Sequence, residues 1–341
     1  MVAEFIEKVL VLATGGTIAG SAASTADNIG YTAAQVGVSQ LLAAVPGLDR
    51  VLAGRTLEAE QVAQIDSKDM GFAVWQQLAQ RVSHHLAQAD VAGIVITHGT
   101  DTLEETAYFL HAVLPALQLA SKPVVLTCAM RPASSVAPDG PQNIRDAVVV
   151  ATTTGACGVL AVCAGTVHAA ADVQKVHTYR LDAFSSGDAG AVAYVEEGAV
   201  RLVKNWPPAP VESEHVAIKN IASVNHWPRV EIVMNYAGAS GALVDALLVP
   251  VSAAGAQGQT DVQLAQVPVR GLVVAGTGNG TIHQDLEAAL RRAQALGVRV
   301  VRSTRCATGR VLATESSEFA HSKGLSPVKA RIALMLELMQ A

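Results

Sequence analysis

Two glycine turns in this chain carry threonine beside groups that could move a proton. The first is Thr14-Gly15-Gly16-Thr17 and the second is His98-Gly99-Thr100-Asp101-Thr102. A threonine hydroxyl is a weak nucleophile until a base takes its proton. Tyr31 is of a type that can relay or orient that proton. Lys175, in Asp172-Val173-Gln174-Lys175, can act on a hydroxyl when it is partly desolvated beside a carboxylate. Backbone N–H groups in glycine turns can hold a developing oxyanion. Together such groups would serve acyl transfer from an amide. Each also has a plainer reading. Asp101 or Thr102 can cap a helix, with a Glu three residues on from each. The first turn can be a tight turn only, Tyr31 a packing residue, and Lys175 a solvated cation.

The elements that must hold these residues can be traced in the pattern. Lys8–Ala13 reads as a strand that delivers the first turn. Val91–Ile96 is an apolar run that reads as a buried strand and stops at Gly99. A helical pattern follows over Thr102–Leu117, ended or kinked near Pro115. The Thr-Asp pair therefore sits where a strand gives way to a helix, the place where open α/β sheets bind ligands. Tyr31 lies beyond a small, polar stretch, Ser21–Gly30. Helices are predicted over Val38–Val45, Phe72–Leu86 and Gln142–Thr153, and strands over Pro123–Thr127 and Gly158–Ala164. Strands alternating with helices at this spacing imply right-handed βαβ units and a largely parallel sheet. A hairpin is predicted around Glu196-Glu197-Gly198.

Composition changes at Trp206-Pro207-Pro208-Ala209-Pro210. The expected organisation is an α/β fold in two domains. Residues 1–206 form a larger N-terminal catalytic domain with a mostly parallel sheet flanked by helices. Residues 207–228 form a linker, and residues 229–341 a smaller, flavodoxin-like α/β domain. In the latter, strands at Val230–Met234, Leu272–Ala275 and Val298–Val301 alternate with helices near Ala242–Leu248, Ile282–Leu296 and Val328–Met339. Ser252–Thr260 reads as an exposed loop.

The 341 residues suffice for substantial cores. A net charge of −5 gives no basic footprint for nucleic acid. No apolar stretch reaches the ~18 residues of a membrane span, and no secretory pattern is visible at the start, so a cytoplasmic location is expected, with a periplasmic chain trimmed of its signal as the alternative. Cys128, Cys157, Cys163 and Cys306 make no Cys-x-x-Cys pair. The first three lie in or beside apolar runs and read as small buried hydrophobes. No metal site and no cofactor are expected. Gly15, Gly16 and Gly20 do not have the dinucleotide-binding spacing, and a Walker lysine is absent.

The motifs taken together resemble one family, the asparaginase/glutaminase amidohydrolases of the bacterial, threonine-nucleophile type. The matching stretches are Ala13–Gly20, Asp66-Ser67-Lys68-Asp69-Met70, Ile96–Ala107, Ala129-Met130-Arg131-Pro132, Asp139–Asn143, Asp172–Lys175, Asn235-Tyr236 and Gly278-Asn279-Gly280. They span nearly the whole chain. The resemblance implies hydrolysis of L-asparagine to L-aspartate and ammonia through an acyl-enzyme. It implies Thr17 as nucleophile, Tyr31 as the lid tyrosine that helps activate it, and Thr100, Asp101 and Lys175 as a proton-handling and substrate-orienting cluster. Substrate contacts are implied for Gly16, Ser67, Lys68, Thr100, Asp101 and Asn279. Asn279 would come from a neighbouring subunit of a homotetramer, a dimer of dimers. The partners expected are a small-molecule amide and other copies of this chain, with no nucleic acid and no membrane. Alternatives are a dual glutaminase–asparaginase, or an amino-acid-binding protein that kept the fold and lost the chemistry.

Two departures from the family pattern bear on substrate binding. Lys68 stands where Gln or Glu is common. An ammonium ~4 Å from a substrate ammonium costs about 4 kcal/mol at an effective dielectric near 20, so Lys68 is expected to turn away or pair with a carboxylate. The segment after Val300–Arg305 is several residues shorter where many members carry an acid, and neither Glu315 nor Glu318 falls in register to replace it, so a less acidic ammonium pocket is expected.

Overall fold

The computed structural model describes residues 6–208, 221–249, 267–313 and 318–340. The chain divides into two compact units, 1–223 and 224–341.

The first unit is built on a sheet whose central strands are buried on both faces. These are β1 (Lys8–Gly15), β3 (Val91–Thr97), β4 (Val124–Thr127) and β5 (Val159–Cys163), with β2 (Thr56–Ile65) at the edge beside β1. In β1, Val9, Val11 and Ala13 face one way and join Val95, Val125, Leu160 and Val162 in a core with Ala147, Val148 and Ala151 of a covering helix. Leu10 and Leu12, pointing the other way, are equally buried. That two-sided burial is the reason these strands read as continuous apolar runs. The helices of this unit are α1 (Val38–Ala43), α2 (Leu48–Leu52), α3 (Phe72–Leu86), α4 (Leu103–Val113), α5 (Ala116–Leu119) and α6 (Gly140–Thr152). Helices α3 and α4 are tied by Trp75, which stacks on Phe109 at 4.8 Å and donates its indole N–H to Thr106 Oγ1 at 2.9 Å.

The parallel strands lie in the order β2-β1-β3-β4-β5. The chain leaves β1 toward one edge and returns to its other side, so the order reverses between β1 and β3. In open α/β sheets that reversal opens a crevice at the strands' carboxyl ends. Beyond β5 the sheet turns antiparallel through β6 (Thr166–Ala169), β9 (Ala193–Glu196) and β10 (Ala199–Leu202). A separate ribbon, β7 (Gln174–Lys175) with β8 (Phe184–Ser185), follows β6.

Three sequence expectations shift here. The predicted Thr102–Leu117 helix is two helices, with Pro115 capping the second. Leu114 before it is extended, ψ 144°, because a residue preceding proline is pushed out of the helical region. The edge strand β2 was not anticipated, since Val62 is its one fully buried side chain. Helix α6 begins at Gly140 with Pro141 in its first turn, where a missing N–H costs nothing.

The second unit carries a four-stranded parallel sheet in sequential order: β11 (Arg229–Met234), β12 (Val269–Gly276), β13 (Arg299–Thr304) and β14 (Ala320–His321). Its core joins Val233, Leu272, Val274 and Val300 to Leu286, Ala289, Leu290 and Ala293 of the helix Gln284–Ala295. The predicted Ser252–Thr260 loop lies outside the described residues. Among the described residues no helix is long and apolar enough to cross a membrane.

Candidate active site

The crevice at the sheet's reversal point is where the sequence-selected residues gather. Gly16 ends β1 with φ 83°, a backbone region that L side chains rarely adopt. A Cβ there would lie 2.2 Å from Gly99 Cα. Glycine is thus required both for conformation and for contact between the β1 and β3 turns. Gly99 in turn lies against Ser67, whose Oγ would meet a Gly99 Cβ at 2.4 Å. Three strand ends, those of β1, β2 and β3, therefore converge on one point.

On the β1 side, Thr17 opens a short 3-10 turn and is buried. Its Oγ1 is 2.6 Å from the Tyr31 hydroxyl. The segment that brings Tyr31 back is pinned at several places. Ser21 and Thr32 exchange backbone hydrogen bonds, the Ala22 N–H donates to Ser134 Oγ at 2.8 Å, and the Val136 N–H donates to Thr25 O at 3.0 Å. Burial pushes the Tyr31 phenol above its ordinary pKa. The Thr17 hydrogen bond pulls it down, and the charges of Asp101 and Asp66 push it up again. Tyr31 is thus a neutral phenol at physiological pH, fit to pass a proton and poorly suited to hold a permanent negative charge.

On the β3 side the groups are charged. Lys175, delivered by the β7 ribbon, donates its ammonium to Thr100 Oγ1 at 2.8 Å and to Asp101 Oδ1 at 2.6 Å. Thr100 Oγ1 donates weakly to the same carboxylate oxygen at 3.4 Å. The Lys175 side chain is 19% exposed and that of Asp101 51%. The ammonium is therefore shielded and the carboxylate faces outward. The Asp101 N–H donates to Ser67 Oγ at 3.2 Å, and Thr102 Oγ1 to Ser67 O at 2.8 Å. Ser67's own hydroxyl hydrogen stays available to an incoming acceptor. The cap expected of Thr102 takes this form: its hydroxyl reaches back to Ser67 and makes no cap bond to the helix.

His98 anchors the turn from below. It is wholly buried, and burial pulls its pKa to about 4. The neutral ring's Nδ1–H donates to Gly99 O at 2.7 Å.

Lys68 pairs with the adjacent Asp69 and is 61% exposed. The Asp69 carboxylate raises its pKa first, with smaller contributions from Asp66 and Asp101. The ammonium is thus compensated by an acid of its own segment. Asn279 belongs to the second unit, where its Oδ1 accepts from the Leu312 N–H at 2.7 Å and its Nδ2 donates to Leu312 O. Glu315 lies outside the described residues. Glu318 is taken by Arg291 at 2.7 Å.

Sequence reasoning assigned no role to Asp66, although its Oδ1 accepts the Lys68 N–H and its charge reaches Tyr31. Asp139 and Asn143 likewise lie in a matching stretch that implies no task for them. In the structure Asp139 accepts the N–H groups of Met130 and Arg131. Asn143 bridges Cys128 O and the Ala164 N–H. Among the described residues no cluster of His, Cys, Asp or Glu could hold a metal ion.

The chain matches two family models, "Asparaginase, N-terminal" over residues 8–208 and "Glutaminase/Asparaginase C-terminal domain" over residues 229–341. It is 37% identical to L-asparaginase 2 of Escherichia coli, over 98% of this chain and 90% of that protein. It is 34% identical to a glutaminase-asparaginase of Pseudomonas fluorescens, over 98% and 86%. Among solved structures it resembles a probable cytoplasmic L-asparaginase from Campylobacter jejuni. The TM-score is 0.84 at 33% identity, covering 98% of this chain and 96% of the other.

Proposed function

Because the chain belongs to the asparaginase/glutaminase family, we propose that it is an amidohydrolase that converts L-asparagine and water to L-aspartate and ammonia, with Thr17 as nucleophile. The observation that carries the reading is the 2.6 Å Thr17–Tyr31 contact, set against the Lys175–Thr100–Asp101 cluster across touching glycine turns.

In this mechanism the substrate α-carboxylate takes the free hydroxyl of Ser67, and the α-ammonium takes the outward carboxylate of Asp101. Thr17 Oγ1 attacks the side-chain carboxamide carbon while its proton passes to Tyr31 and on to the leaving nitrogen. The C–N bond breaks, ammonia leaves, and an aspartyl ester remains on Thr17. Thr100 directs water to that ester, with Lys175 donating to Thr100 Oγ1 and so fixing its lone pairs. Water adds, the ester bond breaks, and aspartate leaves with Thr17 restored.

The proposal includes a homotetramer in which a neighbouring subunit supplies Asn279, and a cytoplasmic location, the compartment printed in the name of the Campylobacter jejuni neighbour. Activity on L-glutamine is the second reading, motivated by the name of the Pseudomonas fluorescens relative. One methylene in a pocket discriminates by only ~1–3 kcal/mol. Ammonia release from the two amides, measured side by side, tests both readings. A higher kcat/KM for asparagine is expected. No release from either amide would leave a binding protein with the fold and without the chemistry.

A further inference from the structure

Two cysteines that read in sequence as inert core residues meet at the ends of β4 and β5, and β4 pairs with the strand that leads to Thr100 and Asp101. Cys128 follows β4 and Cys163 ends β5. These strands are parallel and in register at Thr127 and Val162, so the next residue of each stands beside the other. The two Sγ atoms are 3.4 Å apart and both thiols are free. Neighbouring strands are about 4.8 Å apart, within the roughly 4.4–6.8 Å Cα spacing that a disulfide accepts. Closing the bond requires the sulfurs to approach to about 2.05 Å, with no change of strand order.

The surroundings are firmly built. The turn after Cys163 places Ala164 at φ 49° and Gly165 at φ 73°, which fixes the end of β5. Asn143 donates to Cys128 O at 2.8 Å and accepts from the Ala164 N–H at 3.1 Å, so one side chain straps the two cysteine backbones together. Directly before Cys128, Thr127 O accepts the His98 N–H at 2.9 Å. That bond reaches the turn carrying Thr100 and Asp101. Burial pushes the Cys128 thiol well up, the neighbouring Cys163 and the Asp139 charge add to the push, and the Lys175 ammonium opposes it.

We propose that Cys128 and Cys163 are an oxidisable dithiol, a modification site whose closure by a peroxide draws in the floor of the active site and lowers turnover. The effect on turnover rests on the amidohydrolase reading; the cross-link itself does not. Cys163 is the slightly more exposed of the two, and its thiol sulfur attacks one peroxide oxygen. The O–O bond breaks, the leaving hydroxide takes the thiol proton as water, and a sulfenic acid forms on Cys163. The Cys128 sulfur then displaces that hydroxyl, the S–S bond forms, and a second water leaves with the Cys128 proton. The two thiols lose two electrons and the peroxide gains them. A displacement of ~1 Å at a site of this kind can cost about 10²-fold in rate.

The test treats the full chain with hydrogen peroxide, blocks remaining thiols, and maps peptides without reduction while following ammonia release from asparagine. The expected result is a Cys128–Cys163 linked peptide appearing in step with at least a tenfold loss of kcat, both reversed by dithiothreitol. Cys128→Ala and Cys163→Ala should resist the same treatment, and Cys306→Ala should respond like the parent. The proposal fails if activity falls with no linked peptide. It also fails if the linked peptide forms at full activity, or if Cys128→Ala loses activity as the parent does. The linked peptide is read in the parent protein, so a variant that folds poorly leaves the test intact. Absence of ammonia release before any oxidant would count against the amidohydrolase reading alone, and peptide mapping would still decide the dithiol.

Discussion

The two halves of the site use the same residue type in opposite electrostatic settings. Thr17, at the end of β1, meets a neutral phenol and is buried. Thr100, past the end of β3, meets an ammonium and a carboxylate. A hydroxyl already accepting from an ammonium has a lone pair engaged and its electron density drawn away, which suits orienting and weakens attack. A hydroxyl against a phenol can give up its proton along a neutral path without leaving a buried charge. Chemistry thus favours Thr17 for the first bond and Thr100 for handling water. The sheet topology explains why both are present, because the order reverses between the strands that carry them.

The largest expected effect comes from removing the hydroxyl on the neutral side. Thr17→Ala should lower kcat for asparagine by at least ~10³, with substrate binding retained. Near-normal turnover would reverse the roles of the two threonines. On the charged side, Lys175→Met should lower kcat by roughly 10²–10⁴, the usual worth of a positioned proton-transfer group. An unchanged rate and pH profile would reduce Lys175 to a structural ion pair.

Gly16→Ala strikes the seam between the halves. A Cβ there overlaps Gly99 and stands at φ 83°. Overpacking costs ~1–3 kcal/mol, and the displaced turns should lower kcat together with Tm. A variant with parental Tm and kcat would show that the two turns need not touch.

The smallest effect on turnover is expected at Asp146, which lies on α6 away from both threonines. Burial pushes its carboxyl up to about 6 from 3.8, against a Gln142 hydrogen bond at 2.7 Å that pulls it down. The folded state therefore holds the proton more tightly than the unfolded chain. Its cost is absent well below pH 3.8, grows as pH rises from about 3.8 to about 6, and is level above that. At ~1.4 kcal/mol per pH unit it reaches on the order of 3 kcal/mol at neutral pH. Asp146→Asn should exceed the parent's unfolding free energy by less than ~1 kcal/mol near pH 4 and by ~2–3 kcal/mol at pH 7, with kcat unchanged. A gain equal at both pH values would refute the raised pKa.

Much of this arrangement was legible in the sequence because burial on both faces leaves long apolar runs. Strands β1, β3, β4 and β5 and helix α3 fall where the pattern put them, and the Thr-Asp turn follows from where β3 stops. Strand β2 was not legible. Its sequence Thr-Leu-Glu-Ala-Glu-Gln-Val-Ala-Gln-Ile is half polar, with no continuous apolar run, because it pairs only with β1 and faces solvent on its outer edge. The ion pair that compensates Lys68 is local and was anticipated in kind. The Cys128–Cys163 contact depends on register between strands separated by a whole helix, and no spacing in the sequence encodes it. The same holds for Tyr31, whose segment is pinned by hydrogen bonds from the Ala22 N–H to Ser134 Oγ and from the Val136 N–H to Thr25 O, more than 100 residues apart.

The most direct test of the account is to identify which threonine carries the acyl group. Enzyme mixed with L-asparagine, quenched in acid within one turnover and digested, should yield a peptide containing Thr17 that is heavier by one aspartyl group. The Thr100 peptide should be unmodified. An aspartyl group on the Thr100 peptide, or no adduct on either during active turnover, would contradict Thr17 as the nucleophile.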